Sequence, residues 1–289
     1  MYRVAILGCE NSHADAFLEA VIEKKIVEDI EFVGVYSDDT EAAQKLSDRF
    51  GVKVAKNYDE FVGEIDGLIV TARHGDNHYK YAKPYIESGI PMFIDKPITH
   101  SVEDAKEFMA ALKANNVPVS GGSMVVLSEN VKALKAAMAA KENGNVIGGF
   151  VREPINKTNI YGGISFYSQH GVQTMMELFG MNPRSVQVFE KGIALTCVVR
   201  YDDFDVVLSF ADLKFTVYYA GISFEDKFEA TDISLDGCAE AEFMEFYDVL
   251  KTRKQKKSYE EFFAPVYVID AITRAVESGK EEPIVKYEV

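Results

Sequence analysis

Short apolar runs alternate with longer amphipathic stretches through the first 120 residues. The runs at 3–8, 31–37, 67–71, 91–95 and 117–120 are apolar at successive positions, as in strands covered on both faces. The stretches between them, at 14–25, 40–50, 77–88 and 101–115, are expected to be helices. Ser101 with Glu103 and Asp104 marks one helix start, and Gly51 and Gly89 stand just past the ends of two others. A strand–helix–strand rhythm of this kind predicts a doubly wound parallel sheet.

After residue 122 the pattern changes. A helix is expected at 128–141, a strand at 146–152, then a polar glycine-containing loop and a helix at 165–179. Runs at 185–189, 194–201, 205–210 and 215–220 mix apolar and polar positions with partial alternation. Turn signals at Glu190-Lys191-Gly192 and Tyr201-Asp202-Asp203 make them antiparallel strands with one wet face. Helices at 239–251 and 258–278 close the chain. Two domains are expected, 1–122 with a parallel sheet and 123–289 with an α+β fold around an open, mainly antiparallel sheet.

Composition narrows the function. With 47% hydrophobic residues in 289, the chain has material for real cores and is no disordered tail. Its 46 acidic against 31 basic residues give a net charge of −15, a field that repels nucleic-acid backbones and anionic lipid. A small anionic cofactor is still admissible, because backbone dipoles at a helix start act locally. No apolar run approaches the roughly 20 residues of a bilayer span, and Met1-Tyr2-Arg3-Val4-Ala5-Ile6-Leu7-Gly8 reads as a buried strand rather than a secretory leader. Cys9, Cys197 and Cys238 form neither a metal spacing nor a disulfide framework, so a reducing cytoplasm is expected.

Candidate chemistry begins at the first strand–helix junction, Gly8-Cys9-Glu10-Asn11-Ser12-His13-Ala14. A dinucleotide-binding turn uses glycines here so that backbone N–H groups meet a pyrophosphate. Only Gly8 of G-x-G-x-x-G is present, with Glu10 and His13 in the other two places; a plain turn capped by Asn11 or Ser12 has the same local pattern. After the second strand, Ser37 and Asp38 stand where a ribose-binding acid is expected; Ser37 could accommodate a 2′-phosphate, but Asp38 with Asp39 would repel one, so either NAD or NADP is admitted, with NAD slightly favoured. Asp95-Lys96-Pro97 ends a central strand, so the Lys96 ammonium faces the crevice where open α/β sheets bind ligands. On the helix at 165–179, Phe166, Tyr167, His170 and Gln173 occupy neighbouring rows, placing a phenol and an imidazole together for proton transfer. His74 and His78 are four apart, but Gly75-Asp76-Asn77 between them reads as a loop without a third ligand, and no metal is expected.

These motifs, in this order, resemble the Gfo/Idh/MocA family of NAD(P)-dependent oxidoreductases over nearly the whole chain. Asp95-Lys96-Pro97 matches its E-K-P signature, His78 the histidine ending its T-P-x-x-x-H stretch, and His170 the histidine of its D-x-G-x-H helix. The resemblance implies a Rossmann domain and a second domain whose open sheet supports homo-oligomers. It also implies hydride transfer between nicotinamide and a carbinol carbon of a sugar, polyol or related metabolite. By the same resemblance Lys96 assists at the reacting oxygen and His170, with Tyr167, handles the proton; Gln169 joins them at the substrate. Gly8, Asn11, Ser12 and His13 fall at the pyrophosphate, Ser37 and Asp38 at the ribose, and Thr71, Arg73, His78, Asp95 and Lys96 along the cofactor. Phe166 and Ser168 replace the acid and glycine of D-x-G-x-H, and the usual arginine is absent from Gly121-Gly122-Ser123-Met124-Val125. With the glycine-poor loop, these departures keep open a nucleotide- or sugar-sensing regulatory protein on the same fold.

Overall fold

The computed structural model describes residues 1–212 and 217–286. Within them the chain divides into two compact units: Met1–Gly122 with Ala239–Phe262, and Ser123–Cys238 with the chain from Phe263 onward.

The first unit is built on β1 (Tyr2–Leu7), α1 (Ser12–Leu18), β2 (Ile30–Tyr36), α2 (Thr40–Phe50), β3 (Gly67–Val70), α3 (Asp76–Ala82), β4 (Met92–Asp95), α4 (Val102–Ala114) and β5 (Val119–Gly122). All strand pairs are parallel, in the order β2-β1-β3-β4-β5. The chain reverses its winding direction between β1 and β3, and in such sheets the crevice outside the carboxyl ends of those strands is where ligands sit. β3 and β4 are buried at every position, which explains the apolar runs at 67–70 and 92–94 ahead of the buried Asp95. Two expected helices are shorter than their amphipathic stretches: α1 passes into a π turn at Glu19–Glu23, and α3 into a 3₁₀ turn at Lys83–Ser88 that contains Pro84.

The second unit contains α5 (Glu129–Ala140), β6 (Val146–Pro154), α6 (Ile164–Phe179), β7 (Ser185–Lys191), β8 (Ala194–Arg200), β9 (Asp205–Ala211), β10 (Tyr219–Phe224) and β11 (Phe228–Asp232). The chain then forms α7 (Cys238–Thr252), α8 (Tyr259–Ser278) and β12 (Glu282–Pro283). The second sheet runs β11-β10-β6-β9-β8-β7-β12, antiparallel throughout except for β6 with β9. α6 lies on β6 and β9 and buries Val172, Met175 and Met176. The strand expected at 215–220 starts among residues outside those described; its last two positions open β10.

The expected second domain, 123–289, is not continuous. Residues Ala239–Phe262 belong to the first unit, because Phe243, Phe246 and Leu250 of α7 enter the core formed with Phe17 and Phe93. The apolar stripe of α7 is legible in the sequence; the sheet that it covers is not.

Candidate functional site

The carboxyl ends of β1, β2, β3 and β4 gather most of the residues expected at a cofactor. Gly8 has φ +73, and a Cβ there would stand 2.4 Å from the Cα and N of Ala72. The β1–α1 turn therefore presses against the chain leaving β3, and Thr71 locks the contact by donating its hydroxyl to the Gly8 carbonyl at 3.1 Å. Gly8→Ala combines a backbone clash with a left-handed φ and is expected to lower stability by about 2–3 kcal/mol. A reduced urea midpoint would register it; an unchanged midpoint would show that the loop can open.

Glu10, in the place of the second glycine, is held from two sides. Its carboxylate accepts from the Ser37 hydroxyl at 2.6 Å and from the Arg73 backbone N–H at 2.9 Å. In the sequence Glu10 reads only as a missing glycine; in the structure it ties together the ends of β1, β2 and β3. Ser37 is accordingly buried and committed to Glu10, whereas Asp38 is exposed at the end of β2. Asp38 accepts from the hydroxyls of Tyr36 at 2.6 Å and Tyr81 at 2.7 Å, which hold its carboxyl below the usual range. Ser12 is exposed at the start of α1. The tight turn, the exposed hydroxyl and the exposed acid fit a dinucleotide; the Glu10 carboxylate is the one feature that a diphosphate must avoid.

Asn11 occupies the N-cap position of α1 but makes no side-chain cap. Its amide instead donates to Asp95 Oδ2 at 2.9 Å, and Asp95 Oδ1 accepts the Lys96 backbone N–H at 2.7 Å. Asp95 thus fixes the peptide of Lys96, the residue that leaves β4 into the crevice. His13, expected at the pyrophosphate, turns inward: its Nδ1 lies 3.0 Å from Asp95 Oδ2 and 3.4 Å from Glu242 Oε2 of α7. Burial disfavours the imidazolium, but Asp95 and Glu242 together raise the His13 pKa. Burial also works against the Asp95 carboxylate, yet His13 and Lys96 bring it down to about 2; burial pushes Glu242 up to about 8 against the pull of His13.

His78 is fully buried, with Nε2 2.8 Å from the Ala72 carbonyl and Nδ1 3.2 Å from the Ile98 carbonyl. Burial pushes its pKa down. It forms a strut between the chain segments that follow β3 and β4. His74 meets Asp76 and His100 rather than His78, with Nδ1 atoms 3.6 Å and 3.5 Å from the Asp76 carboxylate.

In the second unit, His170 is buried on α6, with Nδ1 2.7 Å from the Ser123 hydroxyl and its ring edge-on to Tyr218. Tyr167 is half-buried, with its ring centre 5.9 Å from that of His170. Gln169 is wholly buried and donates to Gln173, which in turn accepts the Ser123 backbone N–H. That bonding makes Gln169 a brace for Ser123. Phe166 packs between Tyr161 and Tyr167. Glu153 of β6 is fully buried, and a Cβ on Gly171 would stand 2.8 Å from its Cδ.

The parallel sheet, the crevice at β1 and β3 and the turn at Gly8 define a nucleotide-binding Rossmann unit. Residues 2–123 match the profile of the Gfo/Idh/MocA oxidoreductase family with an NAD-binding Rossmann fold. An uncharacterized oxidoreductase of Streptococcus pneumoniae serotype 4 is 31% identical over 111 residues, 38% of this chain. The oxidoreductase YhhX of Escherichia coli K12, also uncharacterized, is 31% identical over 70 residues, 24% of this chain. The matches span 30% and 20% of those relatives' own lengths. The fold is shared more widely. Myo-inositol dehydrogenase of Lactobacillus casei, solved with NAD(H) and myo-inositol, superposes with a TM-score of 0.86 at 13% identity, covering 100% of this chain and 98% of its own. Myo-inositol 2-dehydrogenase of Lactobacillus plantarum gives 0.86 at 13%, covering 98% and 99%.

Proposed function

We propose that the protein is an NAD(P)-dependent oxidoreductase that moves a hydride between nicotinamide and the carbinol carbon of a hydroxylated small molecule, a sugar, polyol or related metabolite. The observation that carries this reading is Lys96, fixed through Asp95 at the end of a central strand of an NAD-binding unit. The bound dinucleotide supplies or accepts the hydride; the chain supplies the rest. Gly8, Ser12 and the start of α1 would hold the diphosphate, and Thr71 and Arg73 would lie beside the cofactor. Lys96 holds a positive charge at the substrate oxygen, and His170, oriented by Ser123, accepts or returns the hydroxyl proton with Tyr167 beside it. The inositol dehydrogenases that share the fold support a polyol as the first substrate class to test.

Asp38 supports NAD. A carboxylate held ionised by two tyrosine hydroxyls would meet the adenosine ribose, where a 2′-phosphate would add like charge. NADH is expected to bind at least about tenfold tighter than NADPH, roughly 1.4 kcal/mol, and Asp38→Asn to narrow that ratio. Fluorescence titration with both cofactors decides it, and equal affinities in the parent protein would refute the assignment.

Exposed Ile147, Phe189 and Phe228 on the second sheet, with Ile193 in the β7–β8 turn, support homo-oligomers formed through that sheet. Cys9, Cys197 and Cys238, all free and buried, are compatible with a cytoplasmic setting, and no helix among the described residues is long and apolar enough to cross a membrane. Glu10 and Phe166, in the places of a glycine and an acid, favour a second reading, a regulatory protein that binds nucleotide or sugar without turnover. Thermal shift with NAD, NADH, NADP and NADPH, followed by a polyol panel read at the nicotinamide absorbance, separates the two. Stabilisation with turnover supports the enzyme, stabilisation without turnover the sensor, and no stabilisation refutes both.

A further inference from the structure

Beneath the β1–α1 turn, three side chains from distant parts of the sequence meet out of solvent: His13 on α1, Asp95 at the end of β4 and Glu242 on α7, exposed by 5%, 0% and 2%. Their donor atoms all lie within 4.8 Å of one another. The bonding among them is incomplete. His13 Nδ1 is close to both carboxylates but makes a hydrogen bond to neither, and both oxygens of Glu242 lack a hydrogen-bond partner. Leaving a buried carboxylate without hydrogen bonds costs about 1–3 kcal/mol or more, and a carboxylate that a helix brings to 98% burial is a poor choice for mere packing. Asp95 is different. Its oxygens are oriented by the Asn11 amide and the Lys96 N–H, the kind of outer support that fixes a metal-ligating carboxylate.

We propose that His13, Asp95 and Glu242 form a binding site for a divalent metal ion of the zinc type. Ligands about 2.0–2.2 Å from a tetrahedral ion stand roughly 3.3 Å apart. The Nδ1–oxygen separations of 3.0 Å and 3.4 Å are of that size, so an ion needs only small side-chain adjustments. One imidazole and two carboxylates suit zinc or cobalt; calcium calls for six to eight oxygens and magnesium for an octahedron of oxygens, which three enclosed ligands cannot provide. Two carboxylates and a neutral imidazole balance the ion's charge. The Lys96 ammonium follows Asp95 and opposes it, which limits affinity without removing the ligands. Three protein ligands leave a fourth position for water or a bound molecule. The site does not rest on the dehydrogenase reading, and its test needs neither cofactor nor substrate.

The full chain, purified without a histidine tag and stripped with EDTA, is titrated with zinc chloride by calorimetry and with cobalt chloride by visible absorption. The His74–Asp76–His100 group at the surface is the competing site, and the double variant His74→Ala, His100→Ala removes it. Expected are one equivalent of zinc in that double variant, four-coordinate cobalt bands, and at least a tenfold loss of affinity in both Glu242→Gln and His13→Gln. The cobalt spectrum of the double variant tests the site even if a buried substitution fails to fold. Absence of binding, weak six-coordinate cobalt bands only, or binding that disappears in the double variant would overturn the proposal.

Discussion

Lys96→Ala is expected to lower turnover of any polyol that the protein oxidises by about 100- to 10,000-fold, the range for loss of a positioned acid–base group, while NADH continues to raise the melting temperature. The separation of the two effects follows from how Lys96 is held. Its backbone N–H is bound by Asp95, and Asp95 by Asn11, so the loop leaving β4 keeps its anchors when the side chain is cut back to a methyl. The turn at Gly8 and the acid at Asp38 lie on other strands and are untouched. What disappears is a charge only 5% exposed, in surroundings where it acts with less screening than in water. Because the charge acts chiefly on the oxygen as its proton is lost or gained, kcat and kcat/KM should fall together rather than KM rising alone. Steady-state kinetics on the responsive polyol, with thermal shift as the binding control, supplies the check. Turnover at the parent rate would exclude Lys96 from the reaction.

The strands that position Lys96 were legible because burial on both faces writes itself as consecutive apolar residues. The limits of α2 were legible for another reason. Asp39 accepts the Ala42 N–H at its start, and Gly51 takes φ +72 at its end, so both signals are local side-chain chemistry. Periodicity could not tell where α1 tightens into a π turn or α3 into a 3₁₀ turn, since one apolar stripe serves all three helix types. β11, with exposed and half-buried positions in alternation, carries too little apolar contrast to register as a strand. The site shows the same division. Lys96, His170 and Gly8 stand in motifs, whereas Glu10 and Glu242 are acids whose roles depend on partners 27 or more residues away. A glutamate on an amphipathic helix reads as solvated until the neighbouring sheet is known. His13 and His78 occupy expected positions with side chains turned to structural partners, a choice that spacing does not encode.

Phe246→Ala, on a helix far from the crevice in sequence, is expected to destabilise the first unit by about 3–5 kcal/mol, the cost of emptying a fully buried phenylalanine site. Phe246 is 0% exposed, stands edge-on to Phe93 of β4, and comes so close to β3 that a Cβ on Gly67 would lie 3.1 Å from its Cζ. Gly67 is therefore small because α7 covers it, and the void left by alanine cannot be filled by a neighbour that has no side chain. The loss should appear as faster amide exchange in β3, β4 and α7 together, with α6 protected as before, because the contacts removed all belong to one unit. Exchange that quickens in α6 while β3 and β4 hold would contradict the assignment of α7 to the first unit. The same packing predicts the behaviour of a fragment. A chain cut after residue 122 retains all five parallel strands but leaves Phe17 and Phe93 without Phe243 and Phe246, and so exposes the apolar face that α7 closes. The parallel sheet is thus specified by the first 122 residues and completed only when residues 239–262 return to it.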